Sequence, residues 1–238
     1  MRTVMWFISF AVTLIGTIPK LWRVKSLESK GKQAECEKYI HQVTSKWARG
    51  TIKHSGSTIQ VHGMENIPQE GAVVFISNHQ GNFDIPILIS YIDKPKGFIA
   101  KIETLKIPIV RNWMHLIHCI FMDRSTLKGS AGAIIEGINL IKKGYSLVIF
   151  PEGTRSKGSQ MGEFKSASFK LATKPKVPIV PITINGSYKI MEQNNNKIKP
   201  AKVDLYIHPA IETKHLSKEE LEQLPEVVYN LIASKLSV

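Results

Sequence analysis

Acidic residues are scarce in this 238-residue chain: 19 Asp and Glu stand against 32 Lys and Arg, a formal net charge of +13. A basic excess of that size points to a polyanionic partner, either nucleic acid or an anionic membrane surface. Cysteine is rarer still. Cys36 and Cys119 form no C-x-x-C pair, so a disulfide framework is excluded and a reduced, cytosol-facing protein is the simplest reading. Zinc-ligand spacing, a P-loop and a dinucleotide fingerprint are all missing, and with them the metal and nucleotide chemistries they carry. No internal repeat argues for a solenoid. No G-x-S-x-G elbow is present, which counts against a serine hydrolase using Ser77.

What is present gathers at the ends of short apolar runs. Gly71-Ala72-Val73-Val74-Phe75-Ile76 reads as a buried strand, and Asn78-His79-Gln80-Gly81-Asn82-Phe83-Asp84 follows it. On a continuous helix His79 and Asp84 would point about 140° apart. Asp84 instead reads as the N-cap region of a helix with Pro86 in its first turn, and His79 as part of the loop before it. Gly81 lets that loop fold back. Asp84 can then accept from one ring nitrogen of His79 and leave the other as a general base.

A second run, Ser146-Leu147-Val148-Ile149-Phe150, is stopped by Pro151 and followed by Glu152-Gly153-Thr154-Arg155. That turn can offer a guanidinium, a hydroxyl and backbone N–H groups to a phosphate, and arginine's planar fork suits bidentate contact. Read alone, the first motif is a helix cap beside a loop histidine, and the second a surface turn. Ile120-Phe121-Met122-Asp123-Arg124 places a further Arg after an apolar run, and Val177-Pro178-Ile179-Val180-Pro181-Ile182 reads alone as an edge strand because of its prolines.

Taken in order, H-x-x-x-x-D, F-x-D-R, F-P-E-G-T-R and V-P-I-V-P resemble the four blocks of the glycerolipid acyltransferase family, and most of all its 1-acyl-sn-glycerol-3-phosphate acyltransferases. Ala100-Lys101-Ile102-Glu103 and Ile107-Pro108 resemble a further family segment. The resemblance implies acyl transfer from a thioester, acyl-CoA or acyl-carrier protein, to the sn-2 hydroxyl of lysophosphatidic acid, giving phosphatidic acid without metal or cofactor. His79 would be the general base and Asp84 its orienting partner. Lys101, Arg124 and Arg155 would hold the phosphate, Glu152, Gly153 and Thr154 would shape its pocket, and Pro181 would line an acyl or acceptor surface. The backbone N–H groups of residues 81–83 are the expected oxyanion donors. Two departures stand out: His118-Cys119-Ile120 replaces a segment where the family has glycine, and Ala167-Ser168 replaces Gly-Ala. His118 is expected to pack or face solvent.

The first 53 residues hold ten basic residues against Glu28, Glu35 and Glu37. Thr3 to Pro19 is uncharged and apolar, at the short edge of a membrane span. No small-x-small cleavage site follows, and Lys20, Trp22, Arg23 and Lys25 form a basic interfacial border. A nucleic-acid-binding role gives no reason for this stretch. Cys36, Ile40, Val43 and Trp47 then line one face of a helix over 34–49, which either packs on the main body or joins the anchor. The expected architecture is an α/β fold, a mixed, mostly parallel sheet flanked by helices, with a two-helix N-terminal membrane-anchoring segment. Residues 1–50 would anchor it as a peripheral or monotopic protein on the cytoplasmic face of the cell membrane, and residues 51–238 would form the catalytic domain. A helix is expected over 131–143, stopped by Gly144, and a C-terminal helix capped by Ser217 that bends or breaks near Pro225.

Overall fold

The computed structural model describes residues 1–236. Its sheet comprises β1 (Thr58–His62), β2 (Val74–Ser77), β3 (Lys96–Lys101), β4 (Ile120–Met122), β5 (Ser146–Ile149), β6 (Ile179–Asn185) and β7 (Lys202–Ile207), in the order β1-β7-β6-β2-β5-β3-β4. All pairings are parallel except β6 with β7. The helices are α1 (Arg2–Ile15), α2 (Ile18–Ser29), α3 (Gln33–Ser55), α4 (Asp84–Tyr91), α5 (Pro108–Leu116), α6 (Leu127–Lys142), α7 (Lys170–Thr173) and α8 (Lys218–Ala233). Strand alternation sorts the core. Val73 and Phe75 pack on one face with Trp6 of α1, Ile52 of α3 and Ile87 of α4. Val74 and Ile76 pack on the other with Ala133 of α6 and Val228 of α8. The mixed, mostly parallel sheet between helices is the architecture expected from the alternating pattern.

Two local expectations are revised and two are settled. The run at Val177 is no edge strand: β6 lies inside the sheet, between β7 and β2. Pro181 fits there because the pairing with β7 slips by one residue between Ile179↔Ile211 and Ile182↔Ile207. Such a bulge removes the demand for a ladder N–H that proline cannot meet. Likewise α8 runs unbroken through Pro225. The lost hydrogen bond and ring clash cost about 3 kcal/mol, but Leu224, Val228 and Ile232 are fully buried along one stripe, and each contributes about 1.5–3 kcal/mol. Asp84 opens α4 as its first residue, next to Phe83 at the cap, within the N-cap region expected of it. The fourth concerns the amphipathic helix: α3 extends to Ser55 and buries Cys36, Ile40 and Val43 against Val24 and Leu27 of α2 and Trp113 of α5. That stripe is spent on protein.

The apolar face that remains open belongs to α1, where Val4, Met5, Ile8, Val12 and Ile15 are exposed. Residues Arg2–Ser29 together are long and apolar enough to cross a membrane. The opposite face of α1 is docked: the Trp6 indole N–H donates to the Thr51 carbonyl (2.9 Å), and its ring lies 5.3 Å from that of Phe83. His118 packs on Tyr145 (4.0 Å between rings) with a left-handed backbone, φ 58°. This is the conformation glycine adopts most easily, at the place where the family resemblance leads one to expect glycine.

Candidate active site

Because β6, β2, β5, β3 and β4 are mutually parallel, their C-terminal ends share one rim of the sheet, the usual location of ligands in such folds. His79 leaves β2 and Asp84 opens α4. The His79 ring Nδ1 lies 2.7 Å from Asp84 Oδ2, with Asp84 fully buried. An ionised carboxylate only accepts, so a neutral imidazole paired with it carries its proton on Nδ1 and leaves Nε2 as the acceptor. The imidazole stacks on Phe150, with 4.0 Å between ring centroids and 17° between planes, and its side chain is 17% exposed. The imidazole is thus held by Asp84 and Phe150 and remains partly exposed.

The carboxylate is itself held. Asp84 Oδ2 also accepts the Gly81 N–H (2.9 Å), and Oδ1 accepts from the Ser187 hydroxyl. The Asn82 N–H donates to Glu192 Oε1 at 2.7 Å. Two of the three backbone donors expected to form an oxyanion hole are therefore committed to carboxylates, Gly81 to Asp84 and Asn82 to Glu192 of a distant turn. The fold-back that brings His79 to Asp84 turns the Gly81 N–H onto Asp84, and Glu192 takes that of Asn82, which corrects the expectation for these two donors.

Glu152 takes up a place the sequence did not suggest. Its carboxylate is buried beneath the loop, accepting the His79 N–H on Oε1 (2.6 Å) and the Gly162 N–H on Oε2 (2.8 Å). Burial pushes its carboxyl above the ordinary range, and those two N–H donors pull it partly back. Downstream, the Ser156 N–H donates to the His79 carbonyl (2.8 Å) and the Lys157 N–H to that of Gln80 (3.1 Å). The loop after β5 is in effect laced to the loop after β2.

Arg155 reaches Asn82 Oδ1 through Nη1, with Glu192 Oε1 at 3.4 Å. Arg124 donates to the carbonyl of Gly153, whose backbone is left-handed at φ 73°. Thr154 and Lys101 are exposed on the rim, Lys101 at the end of β3. Pro181 is separated from them: it is buried within the sheet, level with Ile76. Several residues of the site were given no role by the sequence. Asn78 is buried and exchanges two hydrogen bonds with the Ile184 backbone (2.9 and 2.8 Å). Gln80 Oε1 accepts the Gly186 N–H at 2.8 Å. For Asn78 a hint existed, a polar residue closing an apolar run; for Ser187 and Glu192 there was none. No cluster of metal-ligating side chains is present among the described residues. The arrangement can take a proton from a hydroxyl at His79 Nε2 while an anion is held on the neighbouring guanidinium groups.

Residues 58–185 match the family model described as Acyltransferase. A 1-acyl-sn-glycerol-3-phosphate acyltransferase of Borreliella burgdorferi is 32% identical over 182 residues, 76% of this chain and 73% of that one. A probable 1-acyl-sn-glycerol-3-phosphate acyltransferase of Mycoplasma pneumoniae is 40% identical over 154 residues, 63% of this chain and 57% of that one. The crystal structure of the 1-acyl-sn-glycerophosphate acyltransferase PlsC from Thermotoga maritima superposes with a TM-score of 0.84 at 28% identity, covering 98% of this chain and 95% of that one.

Proposed function

Because this chain belongs to the acyltransferase family, we propose that it transfers a fatty acyl group from an acyl thioester to the sn-2 hydroxyl of 1-acyl-sn-glycerol 3-phosphate, forming phosphatidic acid. The observation that carries this reading is the pairing of His79 with the buried Asp84, with Arg155 bonded to Asn82 of the same loop. An alcohol is a weak nucleophile at neutral pH, and a positioned base is worth about 10²–10⁴-fold. His79 Nε2 removes the hydroxyl proton as the oxygen attacks the thioester carbonyl. Asp84 stabilises the imidazolium that forms. When the tetrahedral intermediate collapses, the C–S bond breaks and the departing thiolate takes the proton back from His79. Arg155, Arg124 and Lys101 hold the phosphate, with Gly153 and Thr154 shaping the turn that presents it. Glu152 acts one layer below, fixing the His79 backbone. Pro181 serves the acyl side only through the sheet that it helps to shape.

The acyl donor is acyl-CoA or acyl-carrier protein, since either supplies the thioester. Residues 1–50 serve as the anchor and residues 51–238 as the catalytic domain. The exposed apolar face of α1, bordered by Lys20, Arg23 and Lys25, supports attachment to the cytoplasmic face of an anionic membrane, where acceptor and product reside. The test is purified protein in mixed micelles, offered lysophosphatidic acid, glycerol 3-phosphate or other lysophospholipids with each donor. Phosphatidic acid from lysophosphatidic acid is expected, with kcat lowered about 10²–10⁴-fold in His79→Ala. Undiminished synthesis by that variant would sink the mechanism, and acylation of another acceptor alone would sink the substrate assignment.

A further inference from the structure

The turn after β6 crosses the rim and returns a buried acid to the site. Glu192 opens the short turn Glu192–Asn194, and its side chain is only 3% exposed. It makes two contacts with the site through one oxygen: Oε1 accepts the Asn82 N–H (2.7 Å) and lies 3.4 Å from Arg155 Nη1. The other oxygen, Oε2, is buried with no hydrogen-bond partner among the described residues. Leaving such an atom unpaired is costly, so the placement asks for a reason. The catalytic loop leaves room for this carboxylate. A Cβ at Gly81 would stand 2.5 Å from Glu192 Oε2, so glycine permits the approach.

We infer that Glu192 is a positioning residue for the acceptor phosphate, acting through Arg155; this rests on the reading of Arg155 as a phosphate ligand. A guanidinium has five N–H donors. Asn82 Oδ1 and Glu192 Oε1 both engage Nη1. The Nε and Nη2 donors on the adjoining edge then form a fork that matches two phosphate oxygens. Holding one end of the group settles which edge faces the substrate and removes rotamer freedom that binding would otherwise have to restrict. Because Asn82 is three residues from His79, the same carboxylate ties the phosphate-binding edge to the base. The distance between bound phosphate and reacting hydroxyl is thereby set by one buried group.

The experiment is a double-mutant cycle on acceptor kinetics in mixed micelles, with thermal unfolding to verify that each variant folds. Glu192→Gln keeps an oxygen for the Asn82 N–H and removes the charge from Arg155. Its KM for lysophosphatidic acid should rise about threefold to fivefold, the upper range of a modest ion pair, while kcat falls by less. Glu192→Ala should raise KM further and lower kcat as well, because the Asn82 tether is also lost. In an Arg155→Ala background the KM effect of Glu192→Gln should shrink below about twofold. A KM effect of the same size in that background would overturn the inference and leave the role of Arg155 standing. A lowered KM in Glu192→Gln would overturn it too, since the carboxylate would then be competing with the phosphate. An unchanged KM in Arg155→Ala alone would remove the underlying reading and the inference with it.

Discussion

Asp84 spends both of its oxygens inside the protein: Oδ2 on the His79 ring and the Gly81 N–H, Oδ1 on the Ser187 hydroxyl. Asparagine has the same shape but offers one oxygen and one NH₂ in place of two acceptors. Either the NH₂ meets His79 and reverses its tautomer, or it faces Ser187 and the imidazolium loses its counter-charge. Both outcomes weaken the base without touching the phosphate contacts. Asp84→Asn should therefore lower kcat about 10²–10⁴-fold and leave KM for the acceptor within about threefold. Steady-state kinetics on the folded variant check this, and a wild-type kcat would remove Asp84 from the mechanism. Glu152 belongs to the same scale. Its carboxylate accepts from both the His79 and the Gly162 N–H, so it braces the backbone of the loop that carries His79.

Helix α1 has two faces with different work. Trp6 is buried against Phe83 and hydrogen-bonded to Thr51, while Ile8 is 58% exposed. Removing a buried indole costs about 3–5 kcal/mol, whereas an exposed substitution usually stays within about 0.5 kcal/mol. Ile8→Asp should leave the unfolding temperature nearly unchanged. Its partitioning onto anionic phospholipid vesicles should fall about tenfold or more, since a buried aliphatic side chain is worth about 1.5–3 kcal/mol. Vesicle sedimentation reads the partitioning, and unaltered binding would mean that this face of α1 does not enter lipid. Trp6→Ala should do the reverse, lowering stability and loosening Phe83 at the end of the His79 loop.

Across the whole molecule, the sheet has two unlike ends. Opposite the site, at the start of β3, Lys96 is buried with its ammonium donating to the carbonyls of Ile92 (2.8 Å) and Lys94 (3.0 Å). Burial lowers its pKa from 10.5 to about 7. The unfolded chain therefore holds a proton there that the folded chain releases between about pH 7 and 10.5. Stability from this group rises with pH through that window and is flat below it. Subtracting the unfolding temperatures of Lys96→Met from those of the parent should leave a difference that grows from pH 7 towards pH 10. Parallel curves would rule out the titration. At this scale the readable and unreadable parts of the chain also separate. The strand runs, the helix stop at Gly144 and the meeting of His79 with Asp84 were legible because each depends on residues within a few positions, where periodicity and turn chemistry act. The fate of Pro181 and Pro225 was not, because sheet neighbours and a buried stripe outweigh local propensity. The sequence by itself determined which side chains could carry acyl transfer and the order in which they occur. Only the tertiary structure decided what holds them: Ser187 and Glu192 reach the loop across 103 and 110 residues of chain. They do so because β6 lies parallel to β2 and brings its C-terminal end to the same rim.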